Sequence, residues 1–102
     1  VKCFSSINAP SEAAITAAVA QACAPARHMS HVVNGRFKGG YITRHYGQPA
    51  QGIHAVQLEK CQSLYMQEVA PYAYLPAAAE RLQPSLGAMV RAALDALQAL
   101  PA

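Results

Sequence analysis

A chain of 102 residues has room for one domain with a thin core, because a domain of this size buries only about two-thirds of the surface its unfolded form exposes. Apolar residues make up 53 % and charged ones 13 %, which excludes a disordered chain; the net charge of +3 admits an anionic ligand without demanding nucleic acid. No apolar run reaches the roughly 20 residues that span a bilayer, and no segment has the pattern of a signal peptide. Cys3, Cys23 and Cys61 are an odd count at wide spacings, neither a disulfide framework nor a zinc ribbon, so reduced thiols and a cytoplasmic setting are expected.

In chain order, Val1 to Ile7 reads as a first strand, and its start without a methionine reads as though the chain begins mid-protein. Asn8-Ala9-Pro10-Ser11 signals a helix start. The helix that follows carries Ile15, Ala18, Val19, Ala22 and Cys23 at i, i+3, i+4, i+7 and i+8, one apolar stripe that Pro25 closes. A short strand is expected over Ser30 to Asn34, then a loop to Gly40. Gly40 to Gly47 fits a strand by propensity and a turn or two of helix equally well. Gln48 to Gly52 is a turn, and Ile53 to Glu59 alternates like a strand. Lys60 to Val69 reads as helix, Pro71 to Pro76 as an aromatic connector. The last helix is placed at about Pro84 to Leu100, with Leu86, Met89, Val90, Ala93, Leu97 and Leu100 on its buried face. This alternation predicts an α/β unit of about three mostly parallel strands with flanking helices.

In open α/β sheets ligands bind beyond the carboxyl ends of the strands. If the strands are parallel, Asn8, Asn34 with the following Arg36 and Lys38, and Glu59 gather at one edge. Glu59 shares a strand face with Ala55 and Gln57. A carboxylate there is either one half of a salt bridge or a general base that activates water. Arg36 and Arg44 have the guanidinium fork that matches a carboxylate; solvated loop charges are the plainer alternative. His45 lies between Arg44 and Tyr46, where it could touch a ligand. His28 and His31 have metal-ligand spacing but flank a loop, and His54 faces away from Glu59 as a structural histidine would. Cys61 has no arrangement of partners that makes it a nucleophile, and residues 34–40 lack the ending of a phosphate loop.

The run Val33-Asn34-Gly35-Arg36-Phe37-Lys38-Gly39-Gly40-Tyr41-Ile42-Thr43-Arg44-His45-Tyr46-Gly47, then His54-Ala55-Val56-Gln57-Leu58-Glu59 and later Tyr65-Met66, closely resembles the N-formylglutamate amidohydrolase (deformylase) family, most densely over about residues 31 to 68. The resemblance implies hydrolysis of N-formyl-L-glutamate to formate and glutamate, a step of histidine degradation. The fold it implies is related to the zinc-dependent exopeptidases, the phosphorylase/hydrolase-like group, of which this chain would be a three-layer-like C-terminal part. By the same resemblance Glu59 is the candidate base, and Arg36 and Arg44 hold substrate carboxylates with Asn34, Tyr41 and His45 beside them. Family members are more than twice this length, and their zinc (or other divalent metal) ligands lie in an N-terminal part with no counterpart here. The expectation is therefore a C-terminal fragment, inactive alone and without a catalytic metal of its own. Its partner is a small N-formyl amino acid, with no nucleic acid and no membrane involved. A truncated sheet would also expose an edge or an apolar face and self-associate. The alternatives are a small basic and aromatic binding module built on Arg36, Phe37, Lys38 and Arg44, and a structural remnant without chemistry.

Overall fold

The computed structural model describes residues 4–8, 13–25, 30–33 and 40–101. Three strands, β1 (Phe4–Asn8), β2 (Ser30–Val33) and β3 (Gln57–Glu59), form one sheet in the order β2-β1-β3. Among the described residues three α-helices accompany them: α1 (Ala13–Cys23), α2 (Tyr41–Tyr46) and α3 (Pro76–Ala99). Element order alone suggests parallel strands, and β1 with β2 is parallel, Phe4 facing Ser30 and Ile7 facing Val33. β3 instead runs antiparallel to β1, with Ser6 opposite Glu59, Ile7 opposite Leu58 and Asn8 opposite Gln57. A parallel pair needs a helical crossover, which α1 supplies between β1 and β2. Among the described residues no long helix intervenes between β2 and β3, and the chain reaches the far edge of β1 through α2 and a turn.

α1 buries Ile15, Val19 and Cys23, successive i, i+4 positions of the stripe read from the sequence, with Ala18 and Ala22 half-buried beside them. α3 packs against α1 and completes the core of Val19, Cys23, Leu64, Leu82 and Met89, against which Val33, Val56, Leu58, Leu86 and Ala93 are packed. Leu58 points into this core, so Gln57 and Glu59 project from the opposite face of the sheet.

α3 starts eight residues before the expected start at Pro84. Pro76 sits in its first turn, where a missing N–H costs nothing, and Ala77-Ala78-Ala79-Glu80-Arg81-Leu82 are strong helix formers with Ala79 and Leu82 buried. Pro84 therefore lies inside the helix, where it deprives the Glu80 carbonyl of its donor. Both residues are exposed, so water can meet that carbonyl. The expected buried face is also narrower than read. Leu82, Leu86, Met89 and Ala93 line the core, whereas Val90 is 63 % and Leu97 44 % exposed and, with Leu94, border an open apolar groove of about 320 Å³. The sheet is too narrow to cover that flank.

Lys60 to Val69 is not a helix. It holds one 3-10 turn, Gln62–Leu64, before the chain folds back on itself: Met66 bridges Tyr74, and the Gln67 N–H donates to the Ala73 carbonyl at 2.9 Å. An isolated helix of this length is marginal in water, and the cross-chain bonds win. The expected strand from Ile53 is likewise shortened to Gln57–Glu59. Ile53 instead closes the turn at Pro49–Gln51 by exchanging hydrogen bonds with Gln48, and Gly52 takes the left-handed conformation (φ 79°) that the turn demands. Among the described residues no helix is long and apolar enough to cross a membrane.

Two outcomes are expected. Pro84→Ala restores the interior hydrogen bond and raises the unfolding free energy by about 1–3 kcal/mol, read from urea titration. Burial pushes the Cys23 thiol pKa up, so the unfolded chain ionises there first. The contribution is whole below the unfolded pKa and drains as pH rises through it toward the folded value. Between about pH 7 and about pH 10 the urea midpoint of the natural chain should therefore fall more steeply than that of Cys23→Ala.

Candidate active site

The register decides which polar groups stand at the edge of the sheet. Val33 pairs with Ile7 and Gln57 with Asn8, so the end of β2 and the start of β3 lie together at the carboxyl end of β1. Because β3 runs antiparallel, Gln57 and not Glu59 is the residue at that edge. Glu59 lies two residues further in, about 7 Å along the strand, on the same face. The two are joined: Gln57 Nε2 donates to Glu59 Oε1 at 2.6 Å. Glu59 is exposed, so its carboxylate bears no burial cost, and its partner among the described residues is an amide rather than the cation of a salt bridge.

The other end of the same amide holds α2. The Gly40 N–H donates to Gln57 Oε1 at 2.8 Å, and the buried Thr43 hydroxyl donates back to the Gly40 carbonyl at 2.8 Å. The Arg44 N–H reaches that carbonyl too, at 3.2 Å. Gly40 is thus held on both sides of its backbone, and the six-residue helix starts from a fixed point. The strand reading of this segment gives way because Thr43 closes the first turn from inside.

Tyr41 and His45 lie one turn apart on α2 and stack, ring centroids 4.8 Å apart and planes 14° from parallel. The Tyr46 ring meets His45 edge-on at 4.7 Å. Tyr41, Ile42, Arg44, His45 and Tyr46 are all exposed. The structure thus brings Tyr41, Arg44 and His45 onto one short helix whose capping residue, Gly40, is tied through Gln57 to Glu59. Asn34 and Arg36, the other expected substrate-binding residues, lie outside the described residues, as do His28 and the rest of residues 34–39. His31 is exposed on β2, and His54 lines the apolar groove beside Ile15 and Val56. Cys61 is half-buried at the margin of the core.

Gln57 is the residue that sequence reasoning passed over. The signal was there: a long amide two positions before a carboxylate on one strand face can reach it. A bond to Gly40, seventeen residues away, is invisible without the fold.

No three His, Cys, Asp or Glu side chains among the described residues come together as a metal ion would require. Glu59 alone does not make such a centre, so these residues do not fit the metal that the resemblance implies.

Comparison with known proteins agrees with the motifs. Residues 3–66 match the model of the N-formylglutamate amidohydrolase family. The chain is 50 % identical over 92 residues to an N-formylglutamate deformylase of Pseudomonas aeruginosa, covering 90 % of this chain and 33 % of that protein. It is 56 % identical over 72 residues to an N-formylglutamate deformylase of Pseudomonas putida, covering 71 % of this chain and 27 % of that protein. The chain therefore spans about a third of the length of the curated relatives it matches. No solved structure matches it. By its motifs and by the match over residues 3–66, the chain belongs to the N-formylglutamate amidohydrolase family.

Proposed function

We propose that the whole protein hydrolyses the formyl C–N bond of N-formyl-L-glutamate to formate and glutamate, in the cytoplasm and in the service of histidine degradation. The observation that carries this is the exposed Glu59 carboxylate, fixed on a sheet face by the Gln57 amide within a family named for the reaction. One carboxylate oxygen takes the amide bond, and a water can approach the other. In the proposed step Glu59 takes a proton from that water as its oxygen attacks the formyl carbon. The C–N bond then breaks, and the proton passes to the departing amino group, giving formate and glutamate. Arg44 from α2, and Arg36, offer forks for the two substrate carboxylates. Tyr41, His45 and Asn34 contribute the neighbouring polar and aromatic surface.

The ligands of a zinc or other divalent ion, on this reading, come from residues outside this chain. The 102-residue chain is then the proton-transfer and substrate-facing part of an active site. Its sheet is proposed as the C-terminal part of the zinc-exopeptidase-like fold.

In the whole protein, Glu59→Gln should lower kcat on N-formyl-L-glutamate by about 10²–10⁴-fold while substrate binding, measured by calorimetry, persists. The 102-residue chain alone should release no formate. Undiminished turnover in the variant removes Glu59 from the role of base; turnover by the isolated chain removes the division of the active site.

The apolar groove of α3 supports a second, physical expectation. In isolation the chain should pair with another copy through Val90, Leu94 and Leu97, so that its mass in light scattering rises with concentration and Leu94→Glu keeps it monomeric.

A further inference from the structure

We propose that Gln57 is a positioning residue: one side-chain amide orients the Glu59 carboxylate and at the same time fixes the start of α2, the helix that carries Tyr41, Arg44 and His45. The proposal rests on the reading of Glu59 as base and deepens it. Its ground is the pair of bonds made by a single planar group, Nε2 to Glu59 Oε1 at 2.6 Å and Oε1 from the Gly40 N–H at 2.8 Å. The two partners fix the orientation of the amide. Turned over, it would set its oxygen against the carboxylate and its NH₂ against the Gly40 N–H, losing both bonds.

The requirement on residue 57 is narrow. It must present a donor and an acceptor at the end of a side chain long enough to reach along the strand and across to α2. Asn is a methylene shorter, Glu has the acceptor without the donor, and Met has neither. Glu59 is exposed and unconstrained by packing, so among the described residues this bond is what holds its carboxylate in one place. Gly40 has its carbonyl already bound by Thr43 and by the Arg44 N–H, so the Gln57 bond completes the anchorage of the helix. A base and the helix expected to grip the substrate are thus placed relative to each other by one amide. Errors of about 1 Å in such placement cost on the order of 10²-fold in rate.

The test is kcat and KM of the whole protein on N-formyl-L-glutamate, with substitutions at 57 in the natural and the Glu59→Gln backgrounds. Gln57→Met should lower kcat by about 10–100-fold, as loss of an orienting partner does, with KM changed far less. Gln57→Glu is the discriminating variant, because it keeps an acceptor for Gly40 and loses the donor to Glu59. The natural kcat in Gln57→Glu would show that Gln57 merely props α2, and that result would overturn the proposal. In the Glu59→Gln background Gln57→Met should cost almost nothing more, since the two act as a unit; a full additional loss also counts against it. Undiminished turnover of Glu59→Gln itself removes the base reading and this proposal together. Natural kcat in Gln57→Glu with Glu59→Gln dead removes the role of Gln57 alone. Amide exchange in the 102-residue chain reads the geometry without activity: the Gly40 N–H should exchange faster in Gln57→Met and keep its protection in Gln57→Glu.

Discussion

The packing of α1 against α3 is the constraint from which the rest follows. Val19 and Cys23 from one helix meet Leu82 and Met89 from the other, and the sheet contributes Val33, Val56 and Leu58 to the same layer. A chain of this size has surface enough for one such layer only. With α1 and α3 packed on the face that carries Val33 and Leu58, β3 is free to present polar side chains on the other. Because β3 alternates, placing Leu58 in the core obliges Gln57 and Glu59 to stand outside it. The site is thus a consequence of the core: a one-residue slip in β3 would bury the carboxylate and expose the leucine.

What was legible in the sequence is what depends on local periodicity. The stripe Ile15, Val19, Cys23 is a helix pattern that no strand can use, and α1 buries that stripe. The turn at Gln48 to Gly52 could be read because proline and glycine have few conformations to choose from, and Gly52 occupies the one that favours glycine. The family was legible because the run from Val33 to Gly47 and the segment ending in Glu59 are unusual in composition, and the match over residues 3–66 bears this out.

What could not be read depends on contacts distant in sequence. The direction of β3 is decided by which edge of β1 the chain reaches after α2, and no residue within Gln57–Glu59 encodes that. Pro84 looks like a helix start by every local rule, yet the buried Ala79 and Leu82 extend α3 eight residues ahead of it, since tertiary burial outweighs one lost hydrogen bond on an exposed side. The segment after Glu59 has the composition of a helix, and pairing of Met66 with Tyr74 takes it elsewhere. Val90 and Leu97 continue the apolar stripe, but the three-stranded sheet ends before it reaches them.

The antiparallel β3 also changes what the site means. Were the strands all parallel, Glu59 would stand at the strand-end edge as one of several charges, and a loop salt bridge would explain it well enough. In the observed register it lies inward from that edge, and an amide fills the edge position. An exposed carboxylate that had only to stay soluble would have no use for a 2.6 Å partner that is itself bound to a helix start seventeen residues away. Holding such a side chain still costs rotamer entropy, which a solvated surface residue has no reason to give up. The bond is intelligible where the direction of the carboxylate matters, and proton transfer to and from water requires a fixed direction.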